Sequence, residues 1–443
     1  MEWHRLLSTK RTGQITSSGH HDRTQFQRDY DRLIFSSPFR RMQDKTQVFP
    51  LPGSVFVHNR LTHSLEVASV GRSLGSNISR FLQKKYGESL PLAQELGSVV
   101  AAACLAHDMG NPPFGHSGEK AISDYFKHGE GRYLKDLVGD SDVWNDFIDF
   151  EGNANALRVL SHKFSGRRSG GFFLTYTSVA SIVKYPYASG VEGLKKYGFF
   201  QSEKEIFLNI MQELDIIEIS PGIFARHPLV YLVEAADDIC YQIMDIEDAH
   251  KLGILSTDET RDLLLAFYDP ASEKKQLQRI SEVCKEVTDT NEQIAYLRAG
   301  VIGKLVAACT SVFIENHDEI LSGKFRGSLV NGLEGEMDKA MAQCSRTGFQ
   351  RIYRHPSVVE IEIAGFKILG TLLHEFIKAV LEPTYYYSRL LLPFIPEQYR
   401  VSEVSEVHYR IQTVIDFISG MTDVYALDLF RKIQGTRVTG KSL

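Results

Sequence analysis

Cysteine is scarce and badly placed for pairing. The five thiols, Cys104, Cys240, Cys284, Cys309 and Cys344, are odd in number, scattered, and include no C-x-x-C pair. That excludes a disulfide framework, speaks against a structural zinc on thiolates, and predicts buried thiols in a reducing compartment. Positive charge is not in excess either. Fifty Lys and Arg stand against 55 Asp and Glu, a formal net charge of -5, so the chain does not coat nucleic acid by charge alone and any polyanion must meet a local basic pocket. No apolar run approaches the length of a membrane span, and the start, Met1-Glu2-Trp3-His4-Arg5, has no signal-type apolar segment. The expectation is a cytoplasmic protein with no membrane partner. Low-complexity tracts, fixed-period repeats and Pro/Gly/Ser-rich linkers are absent too, which argues for one body. Hydrophobic residues at 43% and charged residues at 24% of 443 give it an ordinary globular core.

What is present reads mainly as helix. Residues 1–25 are polar and read as an N-terminal arm, of the kind that docks on a neighbouring subunit, ahead of a single compact helical body over 26–443. Phe26, Tyr30, Leu33, Ile34 and Phe39 recur at helical spacing before Ser36-Ser37-Pro38 interrupts them. Thr46–Phe49 and Ser54–His58 flank Pro50-Leu51-Pro52-Gly53 as a hairpin would. A helix runs from Asn59 or Thr62 to about Tyr86, another from His227 to His250 with Pro228 in its first turn, and a third over Asn291–Asn316. Val358–Ile363 alternates like a strand, and helices are expected over Glu403–Ile418 and Thr422–Ile433. Lys195, Lys196 and Lys204 read as solvated surface charges, and Arg389 as a surface arginine ahead of a nucleotide-facing one.

One stretch organises the rest. Val99 to Ala106 is wholly apolar, so a helix there has no face for water and must be buried. It ends in His107-Asp108. A buried carboxylate beside an imidazole is costly unless compensated, and a metal ion is the economical compensation. Gly110, Pro112, Pro113 and Gly115 then force a turn, after which His116 and Glu119 share one face of a new helix. The puzzle recurs in Leu232–Asp245, where acids sit among apolar residues and Asp237, Tyr241 and Asp245 form one stripe at i, i+4 and i+8. His63 gains interest only from this company. Two imidazoles and two carboxylates, from His63, His107, Asp108 and Asp237, make an N/O set that suits Mn²⁺, Fe²⁺, Mg²⁺, Ni²⁺ or Zn²⁺, with positions left for water and substrate. On residue chemistry alone His116 and Glu119 are equal candidates for proton transfer. Lys184-Tyr185-Pro186-Tyr187, in a looser segment, is placed to line a cavity.

His63, then His107-Asp108, then Asp237, is similar to the H…HD…D signature of the HD-domain metal-dependent phosphohydrolases. The longer strings Arg60–Val67, His107–His116, Phe150–Asn153, Glu234–Ile239 and Asp416–Ala426 resemble the bacterial deoxyguanosine triphosphate triphosphohydrolases, and more loosely their mammalian relative with SAM and HD domains. The likeness runs from about Trp3 to about Arg431, with no SAM-like module. The resemblance implies an all-α HD fold with small β-hairpin elements, a catalytic core over about 55–255 and a C-terminal helical region over about 256–443. It implies cleavage of dNTPs, dGTP foremost, to the deoxynucleoside and intact triphosphate by water attack at the α-phosphorus, with Mn²⁺, Mg²⁺ or a similar cation on His63, His107, Asp108 and Asp237. His116 and Glu119 become the catalytic pair, Glu119 orienting His116. Arg60, Lys184 and Tyr185 become phosphate contacts. Tyr241 would exclude a ribose 2′-hydroxyl, while Asp245 and Gln47 share the 3′-hydroxyl. A homo-oligomer, hexameric by family, a dNTP effector and single-stranded DNA are the further partners it implies. The rival readings are another HD nucleotide phosphohydrolase, of 5′-nucleotidase or phosphodiesterase type, and a non-catalytic nucleotide- or single-strand-binding regulator.

Overall fold

A computed structural model describes residues 1–13, 22–49, 57–400 and 405–436. Helix α1 (Arg60–Tyr86) opens on a reciprocal cap: Asn59 accepts from the Thr62 amide, and Thr62 Oγ1 accepts from the Asn59 amide. It packs along α2 (Leu96–Ala106), in which every residue but Ser98 is buried. The two approach so closely that a Cβ on Gly71 would lie 2.5 Å from Cys104 Sγ, and one on Gly75 would lie 2.7 Å from the Leu96 carbonyl. Only glycine fits there.

Next come α3 (Gly115–Lys127), α4 (Gly152–Ser161) and α5 (Pro228–Lys251), the last started by Pro228 under a His227 cap. They are followed by α6 (Thr290–Glu315), α7 (Pro356–Leu381), α8 (Val407–Ser419) and α9 (Asp423–Ile433). The apolar residues divide between two cores. One joins α1, α2, α5 and α6; the other joins α3, the Trp144 and Phe147 helix (Ser141–Ile148), α7, α8 and α9. The turn between α2 and α3 passes from one core to the other, which is why the chemistry collects there. Among the described residues the architecture is all-α apart from an antiparallel pair, Glu218–Ser220 with Ile223–Phe224.

Three expectations change, and a fourth falls largely outside the described residues. Val358–Ile363 lies inside α7, not in a strand: six residues could not separate a period of 2 from one of 3.6, and the burial of Val358, Gly365, Ile368, Leu369, Leu372 and Leu373 shows the helical one. Residues 50–56 of the expected hairpin lie outside the described residues, and its flanks meet at one bridge, Thr46 to Asn59. The first 13 residues pack into this chain's own core, with Trp3, Leu6 and Leu7 buried and Trp3 Nε1 donating to His317 Nε2 at 3.0 Å. Three apolar anchors were too few to register as a pattern. Finally, α6 is long and apolar enough to cross a membrane by length and composition; here its Ile294, Leu297, Val301, Leu305, Cys309 and Phe313 are buried in the first core.

Candidate active site

Three helices bring three ligand atoms together. His63 sits in the first turn of α1, His107 caps the end of α2, and Asp237 projects from the middle of α5. His63 Nε2 is 3.0 Å and His107 Nε2 3.5 Å from Asp237 Oδ1, and all three ligand atoms fall within 4.8 Å of one another. His107 Nδ1 donates to the Cys104 carbonyl at 2.6 Å, which turns the lone pair of Nε2 inward. That Nε2 is buried and, among the described residues, has no hydrogen-bond partner. An orphaned imidazole nitrogen beside a carboxylate and a second imidazole is what a divalent ion needs, so the donor set fits one.

Asp108 stands beside this trio rather than within it. Its Oδ1 is 3.6 Å from His107 Nε2 and accepts from Asn111, and its Oδ2 accepts from Arg60 at 2.7 Å. Arg60, buried, therefore neutralises Asp108 at the mouth of the metal seat. Gly115 beside it has φ 58°, which favours glycine, and a Cβ there would also come 2.6 Å from Arg60 Nη2. Burial opposes the charge on Asp237 and Asp108, but the imidazoles around Asp237 hold its carboxyl well below the ordinary range, and Arg60 and the imidazoles lower that of Asp108. Burial likewise opposes protonation of His107, yet Asp108 and Asp237 push it up to about 9. Proton and cation compete for the same nitrogen.

Across the turn, His116 Nδ1 is 2.7 Å from Glu119 Oε2, and Glu119 Oε1 accepts the Gly152 amide at 2.8 Å. Despite burial, that imidazole contact holds the Glu119 carboxyl low. Glu119 thus fixes His116 through one nitrogen, while the ring, 72% exposed, presents the other to a cavity of about 470 Å³. Of the expected site residues, Gln47, Arg60, His107, Asp108, His116, Lys184, Tyr185, Asp237 and Tyr241 line this cavity. His63 and Glu119 sit behind it, each reaching it through a partner. Gln47 Oε1 is buried, with no hydrogen bond among the described residues. Lys184 is held by Glu234 at 3.1 Å.

Asp245 differs most from its expected setting. Its Oδ2 accepts from Tyr353 at 2.7 Å, and the Tyr353 ring stacks on Tyr241 with centroids 5.7 Å apart. Burial pushes the Asp245 carboxyl up to about 8. The two tyrosines separate the main cavity from a smaller one of about 180 Å³ that Asp245 lines. Tyr353 carried no signal in the sequence, being brought here by tertiary packing alone. Lys196, read as a surface charge, lines the main cavity 5.8 Å from the Tyr185 ring; it lies in a segment without periodicity, so nothing marked its direction. Lys120 also lines it and was legible in principle, one turn after His116 on the same face. Arg389 is exposed and outside the cavity.

The HD domain family matches residues 60–162, which span α1, the His107-Asp108 pair and His116, and a phosphohydrolase-associated domain family matches residues 332–432. Helical core, ligand trio and match together define the class, an HD-domain hydrolase with a seat for a divalent metal. The similarity to curated proteins extends over almost all of the chain. A deoxyguanosinetriphosphate triphosphohydrolase-like protein of Synechocystis sp. is 38% identical, covering 98% of this chain and 99% of its own length, and one of Pseudomonas aeruginosa is 36% identical with the same coverage. A deoxyguanosinetriphosphate triphosphohydrolase of Yersinia pestis is 30% identical over 92% of this chain and 93% of its own. The chain belongs to the deoxyguanosinetriphosphate triphosphohydrolase family.

Proposed function

We propose that the protein hydrolyses deoxynucleoside triphosphates, dGTP foremost, to the deoxynucleoside and inorganic triphosphate. The observation that carries the reading is the partnerless His107 Nε2, set with His63 and Asp237 in the wall of a cavity that also holds the His116–Glu119 pair. His63, His107 and Asp237 would hold Mn²⁺ or Mg²⁺, with Asp108 as the adjacent fourth acid. When bound, the ion supplies Lewis acidity toward water and a phosphoryl oxygen.

The chain's own residues account for the rest. Lys184, Lys196 and Lys120 offer their ammonium groups to the triphosphate, and Tyr185 lies between the first two. Water attacks the α-phosphorus, the bond from phosphorus to the 5′-oxygen breaks, and the 5′-oxygen leaves with a proton. His116, its Nδ1 engaged by Glu119, handles a proton at Nε2 in that exchange. At the sugar end the Tyr241 ring, backed by Tyr353, has no room to retreat from a 2′-hydroxyl. Gln47, in the cavity wall, would take the 3′-hydroxyl, and Asp245, behind the two tyrosines, would act on it through the Tyr353 hydroxyl it holds. The reading extends to a cytoplasmic homo-oligomer, with dNTP effectors and single-stranded DNA as further ligands.

The test is a panel of dNTPs, each alone and in pairs, incubated with the protein and Mn²⁺ or Mg²⁺ and resolved by chromatography. Intact triphosphate and free deoxynucleoside are expected, with dGTP the best substrate. Orthophosphate or a nucleoside monophosphate as the product, or no turnover of any dNTP, would overturn the proposal.

A further inference from the structure

The C-terminal string Asp416–Ala426 takes no part in the chemistry above, yet it lies directly behind the turn that carries His116. Asp423, 6% exposed, opens α9 but does not cap it: Thr422 does, accepting from the Tyr425 amide. Its carboxylate is spent elsewhere. Oδ1 accepts the Phe114 amide at 3.0 Å and Oδ2 accepts the Thr46 amide at 2.9 Å. Those two residues adjoin the two ends of the proposed site. Thr46 precedes Gln47, at the sugar end; Phe114 stands two residues before His116.

Phe114 needs such a partner. It has φ 63° and ψ 17°, a left-handed backbone that a bulky residue rarely adopts, and it stands at the N-terminus of α3 with no side-chain cap of its own. Local support is confined to long backbone bonds, the Gly115 amide to the Pro112 carbonyl at 3.3 Å and the Gly118 amide to the Phe114 carbonyl at 3.4 Å. A second strut reaches the same place: Lys45 Nζ, buried, donates to the Asn111 carbonyl at 2.6 Å and to the Ser419 carbonyl at 2.8 Å, tying the metal-side loop to the turn between α8 and α9. Arg158 anchors the end of α8 that leads into that turn, Nε and Nη2 each 2.7 Å from an oxygen of Asp416.

We propose that Asp423 is a positioning residue for hydrolysis: one carboxylate, supplied by the phosphohydrolase-associated region, sets the His116 turn in register with the Gln47 segment, and Lys45 braces the same loop. The C-terminal region is thereby part of the catalytic apparatus without touching substrate. The inference rests on the proposed role of His116.

The experiment compares full-length wild type with Asp423→Asn, Lys45→Met and Thr422→Ala. Asparagine keeps the shape of aspartate but turns an N–H donor toward one of the two amides. For D423N, kcat for dGTP should fall about 10- to 100-fold, as expected for a misplaced proton carrier. KM and Mn²⁺ affinity, read by calorimetry without turnover, should stay within about threefold. Hydrogen exchange at the Thr46 and Phe114 amides should accelerate while that of α2 and α5 does not. K45M should show a smaller loss of kcat of the same kind. T422A, which weakens α9 alone, should lower the melting temperature and leave kcat unchanged. Wild-type kcat in both D423N and K45M, or exchange accelerated evenly throughout the chain, would overturn the proposal. If wild type itself releases no triphosphate, the functional reading falls, and the exchange arm still decides whether Asp423 holds the two segments.

Discussion

Two regions gather acids among apolar helices and treat them in opposite ways. Where the end of α8 meets the start of α9, both oxygens of Asp416 take Arg158 and both oxygens of Asp423 take backbone amides. At the junction of α1, α2 and α5, one oxygen of Asp237 is shared by two imidazoles at 3.0 and 3.5 Å, and among the described residues His107 Nε2 has no hydrogen bond. A closed set of donors and acceptors holds a fold together; an open one waits for something from outside. The comparison separates brace from binding site where burial and charge do not.

The most severe test of that distinction removes a member of the open set. His107→Ala should abolish Mn²⁺ binding and lower dGTP hydrolysis at least about 1,000-fold, with the helical circular dichroism unchanged. Chelation of the wild type should reproduce the loss, and added Mn²⁺ should restore it. A variant that still binds Mn²⁺ with wild-type affinity would remove His107 from the seat. The closed set should fail differently. Arg158→Met leaves Asp416 and Glu203 buried without their cation, and should destabilise the chain by ~3–5 kcal/mol in urea unfolding. A neutral outcome there would break the comparison.

Asp146 sharpens it from between. Both its oxygens are satisfied, by Ser189 Oγ at 2.6 Å and the Gln201 amide at 2.7 Å, but no cation accompanies them, and burial pushes its carboxyl up to about 7. The folded state therefore holds a proton that the unfolded chain releases near pH 4. This contribution to stability is full below pH 4 and is lost as pH rises to about 7, a ceiling of ~4 kcal/mol for a shift of about three units. Asp146→Asn should flatten the decline in urea midpoint between pH 5 and 7; equal slopes in the two proteins would contradict it.

Much of this was legible in the sequence because it is local. The apolar run into His107, the stripe of Asp237 and Tyr241, and the i, i+3 pair of His116 and Glu119 each follow from helical spacing, and the structure puts them around one cavity. What was not legible depends on contacts between distant parts of the chain. Tyr353 reaches Asp245 across 108 residues, and Asp423 reaches Phe114 and Thr46 across 309 and 377. No periodicity encodes such pairings. Asp108 marks the boundary between the two cases: composition groups it with the ligands, while the position of Arg60 decides which way its oxygens face.

The glycine contact between α1 and α2 has a consequence for the ion. His63 and His107 stand on helices whose spacing is set where bare backbone at Gly75 meets the backbone of Leu96 and Gly97. The gauge of the seat is thus fixed by main chain, and rotamer hopping in the surrounding core has little leverage on the distance between the two imidazoles.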